Sequence, residues 1–298
     1  MKKYVPLTHQ ELMKELDRIQ KEYPFFTFST LGKSLVGREI PLVRIGHGKK
    51  SVLYVGTHHG MEWITSVILL KYLAETGKLM KENGKIFSNN ICDLFTHRTV
   101  YVVPMLNPDG VELQITGCDG MNPLTERLYS MSGGDFSSWQ ANGRGVDLNH
   151  NYDASFAEYK ALEPSLGIFG GGPTRFSGAH AESEPETSCL CSFIRSQDIS
   201  SLIALHTQGG EIYYDYNGHV PQGGKLIARK MERLSGYALS QPEGSACYGG
   251  LKDWFIKEFD RPAFTIECGK GKNPLPQEDC NIIYSVLRGV LHLFPTFI

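Results

Sequence analysis

The sequence predicts an α/β chain folded as a single domain, with a central mixed, mostly parallel twisted sheet flanked by helices. Three observations carry this expectation. Short apolar β-like runs alternate with helical stripes over the whole 298 residues, as in a sheet covered by crossover helices. Runs such as "SVLYV", "SLIAL" and "PAFTI" are continuously apolar, the pattern of strands buried on both faces. A hydrophobic fraction of 41% over this length is ample for a core.

The elements follow in order. Residues 9–21, "HQELMKELDRIQK", place Leu12, Leu16 and Ile19 on one helical stripe after a threonine N-cap at Thr8. The β-like runs "FTFSTLG", "IPLVRIG" and "SVLYVGT" come next, separated by glycine-bearing turns. The pattern then becomes helical in "EWITSVILLKYLAETG", and "TVYVVPMLNPDG" reads as a strand ending in a turn at Asn107-Pro108-Asp109-Gly110. Residues 117–147 form a long glycine-, serine- and asparagine-rich loop, a kind of segment that usually carries function. Beyond it lie a helix in "ESEPETSCLCSFIRSQ", a strand in "SLIALHTQ", a helix in "GGKLIARKMERLSGYAL", a strand in "RPAFTIECG" and a final helix in "CNIIYSVLRGVLHLFP". Residues 1–34 are expected to pack as an N-terminal helix and strand on a main domain of residues 35–298.

Thirty basic and 32 acidic residues give a formal charge of −2, with no basic block to contact nucleic acid or anionic lipid. A small or peptidic partner is expected instead. No stretch approaches the roughly 20 apolar residues that span a bilayer. The seven scattered cysteines and the polar N-terminal region, which has no apolar run long enough for a signal peptide, point to a reduced, cytoplasmic protein. The oligomeric state leaves no trace in the sequence.

Three of the buried runs end in chemistry-bearing residues: "SVLYVGTHHGME", "SLIALHTQ" and "PAFTIECGKG". The crevice at the carboxyl ends of strands is where open α/β sheets bind ligands, so His59, Glu62, His206 and Glu267 are expected to meet there. Two histidines and a glutamate match the three-ligand set of a catalytic zinc and leave Glu267 unbound. Helical spacing alone does not choose between His58 and His59, because Glu62 lies four residues after one and three after the other.

The ordered motifs "GTHHGMEWIT", "VPMLNPDG", "NGRGVDLNHNYD", "SEPET", "ALHTQGGEIYY", "GGLKDWFI" and "PAFTIECGKGKNPLP" make the chain resemble the zinc carboxypeptidase family. Within that family it is most similar to bacterial peptidases that cut γ-D-glutamyl-diaminopimelate bonds of cell-wall peptides. The resemblance implies one Zn²⁺ per chain, held by His59, Glu62 and His206, with Glu267 as general base. It implies Asp147 as the partner of the other ring nitrogen of His59. It makes Arg144 the candidate for oxyanion stabilisation, although many relatives place an arginine where Gln140 stands. Asn149 and His150 fall where the family holds a terminal carboxylate with an Asn-Arg pair, so the neutral His150 argues against simple carboxypeptidase action. Lys252 falls at the specificity position and Tyr248 beside it as a lid. The substrate implied is a small peptide, a muropeptide. The alternatives are a carboxypeptidase or amidohydrolase acting on other small acyl-amino acids, and a muropeptide-binding module without turnover.

Overall fold

The computed structural model describes residues 6–298; the first five residues, including the paired lysines at the start of the expected 1–34 segment, lie outside them. An eight-stranded sheet organises the chain. Its strands are β1 (Thr27–Lys33), β2 (Glu39–Gly46), β3 (Lys50–Val55), β6 (Arg98–Val103), β7 (Ile199–His206), β8 (Glu211–Tyr213), β9 (Ala238–Leu239) and β10 (Ala263–Glu267), while β4 (Lys85–Ile86) and β5 (Asn89–Asn90) form a separate small pair. The order is β1-β2-β6-β3-β7-β10-β8-β9. The pairs β6–β3, β3–β7, β7–β10 and β8–β9 are parallel, and β1–β2, β2–β6 and β10–β8 are antiparallel. The mixed, mostly parallel sheet expected from the sequence is therefore present, with β1 of the N-terminal segment as its edge.

Both faces are covered, which is why the central strands read as unbroken apolar runs. On one face Val52, Tyr54, Ile203 and Ile266 pack under the helices His9–Glu22, Ile64–Lys81 and Cys280–Leu293. On the other, Leu53, Val55, Leu202 and Ala204 pack under Pro185–Ser196 and Leu251–Phe259. The first helix begins as expected: the Thr8 hydroxyl accepts from Glu11 N and the Glu11 carboxylate accepts from Thr8 N, a reciprocal cap. Its Leu12, Leu16 and Ile19 are buried, each contributing about 2 kcal/mol.

Two expectations change. Asn107-Pro108-Asp109-Gly110 is no simple turn but the N-cap and first turn of a helix, Pro108–Thr116. The Asn107 side chain accepts from Gly110 N, and Pro108 sits where a missing N–H costs nothing. The long loop also contains a helix, Thr125–Ser132, whose Leu128 joins Phe136 and Trp139 in a small satellite core. Among the described residues, no helix is long and apolar enough to cross a membrane.

Candidate metal centre and active-site cleft

Because β3, β7 and β10 are parallel neighbours, their carboxyl ends open on one edge of the sheet. Glu267 closes β10 in register with His206, the last residue of β7. The chain leaves β3 through Thr57, held at φ 55° while its N–H and hydroxyl bond the Thr65 and Ser66 hydroxyls. His59 then caps the short 3₁₀ turn Gly60–Glu62. A side chain at Gly60 would meet the Gly110 carbonyl oxygen at 2.2 Å, so the turn requires glycine there.

This geometry gathers His59, Glu62 and His206, with one ligand atom of each within 4.8 Å of the others. His59 Nδ1 lies 2.9 Å from Glu62 Oε1, and His206 Nδ1 lies 3.1 Å from Glu62 Oε2. His58 turns the other way: its Nε2 meets the Tyr152 hydroxyl at 3.0 Å, and its ring stacks behind that of His206. The ambiguity left by spacing is thus resolved by direction, with His59 on the Glu62 side.

Asp147 makes contact with the remaining nitrogen of His59, Nε2, at 3.1 Å. It caps the 3₁₀ turn Leu148–His150 as well, accepting from Asn149 N, and takes the N–H of Arg175 at 2.9 Å. With Nε2–H donated to Asp147, the Nδ1 lone pair of His59 faces the Glu62 carboxylate. Two acceptors in that position need a proton or cation between them, and an N/N/O set is what zinc binds in catalytic sites. The residues present fit the metal.

The electrostatics follow from burial and pairing. Burial opposes a charge on His59, but Glu62 and Asp147 outweigh it and hold its pKa well above the usual value. Burial likewise opposes ionisation of Glu62, yet the two histidines bring its pKa down to about 2. Asp147 is also held well below the usual carboxylate range, against its burial, by His59 and His150. Glu267 goes the other way: burial, and then the neighbouring Glu62, push its pKa up to about 8.

Comparisons with known proteins assign the chain to a family. The sequence pattern described as zinc carboxypeptidase matches residues 12–285. This chain belongs to the zinc carboxypeptidase family. Gamma-D-glutamyl-L-diamino acid endopeptidase 1 of Lysinibacillus sphaericus is 33% identical over 281 residues, covering 94% of this chain and 69% of that protein. Bovine thrombin-activatable fibrinolysis inhibitor superposes with a TM-score of 0.73 at 19% identity, over 97% of this chain and 96% of that one. The murein-tripeptide amidase of Escherichia coli O157 gives 0.54 at 19% identity, over 89% and 91%. As a zinc carboxypeptidase-family member the chain is a zinc metallopeptidase.

The family cleft here is a cavity of about 450 Å³ lined by His59, Glu62, Asp147, Asn149, His150, His206 and Glu267. Not every expected residue reaches it. Arg144 pairs with Glu184 at 3.1 Å and lies outside the lining, in a turn where Asn142 Oδ1 accepts the N–H groups of Arg144 and Val146. Gln140 does line the cleft, its side-chain oxygen taken by the Thr174 hydroxyl. Tyr248 is absent from the lining: its carbonyl accepts from His150 Nδ1 at 2.8 Å and its ring stacks on Tyr159. Lys252 is absent from the lining; it is buried, with its ammonium on the Asp215 carbonyl and on Asp253.

His150 stacks on Tyr159 at 4.2 Å, and burial lowers its pKa, which favours the neutral ring. Donating Nδ1–H to Tyr248 leaves Nε2 as an acceptor, which suits an N–H group and not a carboxylate. Among the cleft residues that escaped the sequence reading is Arg175, at φ 69°, the single Lys or Arg in the lining among the described residues. No periodicity or motif in "GGPTRFSG" marks it; only the Asp147 contact brings it in.

Proposed function

We propose that this peptidase hydrolyses an amide bond in small cell-wall-derived peptides, the bond from the γ-carboxyl of D-glutamate to a diamino acid, with water as nucleophile and Glu267 as general base. The observation that carries the reading is the register of β10 on β7, which sets a carboxylate outside the ligand set beside His206. Zinc, when held by His59, Glu62 and His206, supplies a water of near-neutral pKa and a Lewis acid for the carbonyl.

The chain's own groups do the rest. Glu267 takes a proton from the attacking water and returns it to the amine nitrogen as the C–N bond breaks, which needs a carboxylate near the metal but not on it. Asp147 holds His59 in the tautomer that offers Nδ1. We assign to Arg175, the cation of the cleft lining, stabilisation of the developing oxyanion, the role that the sequence suggested for Arg144. The neutral acceptor at His150 supports cleavage of substrates that do not end at the diamino acid carboxylate. The 33%-identical relative, a named γ-D-glutamyl-L-diamino acid endopeptidase, supports the bond.

The test is purified zinc-loaded protein incubated with L-Ala-γ-D-Glu-diaminopimelate peptides, N-acyl amino acids and C-terminally varied dipeptides. Release of L-Ala-D-Glu from the first set alone is expected. Turnover confined to the dipeptides would make it a carboxypeptidase, and none from any set would leave a binding module.

A further inference from the structure

The two histidines gathered around Glu62 are held by different means. His59 is fixed through its second nitrogen, Nε2, by the Asp147 carboxylate at 3.1 Å. His206 has no such bond: its Nε2 is buried and, among the described residues, has no hydrogen-bond partner. The Cβ–Cγ torsion of histidine is broad, so an imidazole tied through one nitrogen only can turn about it and swing that lone pair away from a metal. The plane of His206 has to be set by something other than a hydrogen bond.

The ring of His58 is placed to set it. It lies against His206 with centroids 5.1 Å apart and planes 25° from parallel, while His59 meets the same ring closer to edge-on, at 4.9 Å and 63°. The doubled histidine follows from the local backbone. Thr57, at φ 55°, turns the chain beyond the end of β3, which runs parallel to β7, and two consecutive side chains then approach one ring, His59 from the Glu62 side and His58 over the face.

His58 is itself held at both ends. Its carbonyl accepts from Asn107 Nδ2 at 2.8 Å, and its Nε2 meets the Tyr152 hydroxyl at 3.0 Å. Tyr152 is fully buried, with its ring 6.0 Å from that of Trp254. His58 is also fully buried and lines no part of the cleft, so it acts on the site only through its neighbours. A ring anchored in this way and packed flat on another restricts the torsion that His206 would otherwise leave free.

We propose that His58 is a positioning residue for the metal centre: by ring stacking it holds His206 in the plane that presents Nδ1, the part that Asp147 plays for His59 through a hydrogen bond. The assignment rests on His206 as a zinc ligand and is independent of which bond the enzyme cleaves.

The experiment compares His58→Phe, which keeps a flat ring, with His58→Leu, which keeps only the bulk; both lose the Tyr152 hydrogen bond, so that loss cancels. Chelator competition gives the zinc affinity, and the visible absorption of the cobalt-substituted proteins reports ligand geometry. With metal in excess both variants should carry one zinc per chain. His58→Leu should bind it roughly 10-fold more weakly than the wild type with an altered cobalt spectrum, and His58→Phe should stay within about threefold of the wild type and keep its spectrum. A merely structural role would lower the Tm of both variants and leave the cobalt spectrum unmoved; equal affinities and spectra in the two variants overturn the proposal. If His58→Leu does not fold, Tyr152→Phe decides: it unties the His58 ring without removing it and should weaken zinc binding and alter the cobalt spectrum, and wild-type values there overturn the proposal. His206→Ala, run alongside, should lose stoichiometric zinc; if it keeps wild-type affinity, His206 is no ligand and the proposal falls with that reading.

Discussion

The cleft has two halves built in different ways. On the sheet side, His206 and Glu267 are terminal strand residues locked by parallel register, and His59 and Glu62 follow β3 through a one-turn 3₁₀ segment. On the loop side, Asp147, Asn149, His150 and Arg175 have no ladder to hold them and depend on side-chain bonds to backbone N–H and C=O groups. The difference teaches that the groups proposed to react sit on the rigid frame, where small displacements are costly, and the groups proposed to recognise substrate sit on loops that can vary.

The comparison predicts a graded response. Removing a sheet-side ligand should be most damaging: His59→Ala or His206→Ala should lose stoichiometric zinc and about 10⁴-fold in kcat/KM, read by metal analysis and peptide turnover. His58→Ala, one residue away but facing Tyr152, should keep its zinc; loss of metal there would show that direction was misjudged. Asp147→Asn links the halves and should weaken zinc affinity 10- to 100-fold, measured by chelator competition.

Wall residues should matter less. Arg175→Ala should raise KM or lower kcat about tenfold, while Arg144→Ala, which faces Glu184, should stay within about twofold. Equal effects would return Arg144 to the cleft. The smallest effect is on stability. Burial, with Asp109 nearby, pushes Glu186 up to about pKa 7, while its carboxylate bonds Leu35 N and Asn142 at the base of the loop. A carboxyl with a raised folded-state pKa costs stability as pH rises from its unfolded value near 4 through 7. Glu186→Gln, which resembles the neutral acid, should therefore raise Tm by a few degrees at pH 8 and leave it nearly unchanged at pH 5.

The sheet side was legible in the sequence and the loop side only in part, for the same physical reason. A buried strand leaves a continuous apolar run, and a polar residue that ends it stands out, as in "SLIALH" and "AFTIE". Asp147 and His150 were found because they lie in a motif, but the direction of Arg144 depends on Asn142 and Glu184, contacts that spacing does not encode. Arg175 carries no local signal, since it acquires meaning from a partner far along the chain. The helix at Pro108 was read as a turn because Asn-Pro-Asp-Gly serves equally as a turn or as a cap.

The central claim is that Glu267 acts on the proton of the attacking water without holding the metal. Glu267→Gln tests it most directly, with zinc content and turnover of L-Ala-γ-D-Glu-diaminopimelyl-D-Ala, a substrate that continues past the diamino acid, measured on the same preparation. The account predicts one zinc per chain and a loss of about 10³-fold in kcat with KM little changed. A variant that turned over at the wild-type rate, or that came out of purification without metal, would contradict it.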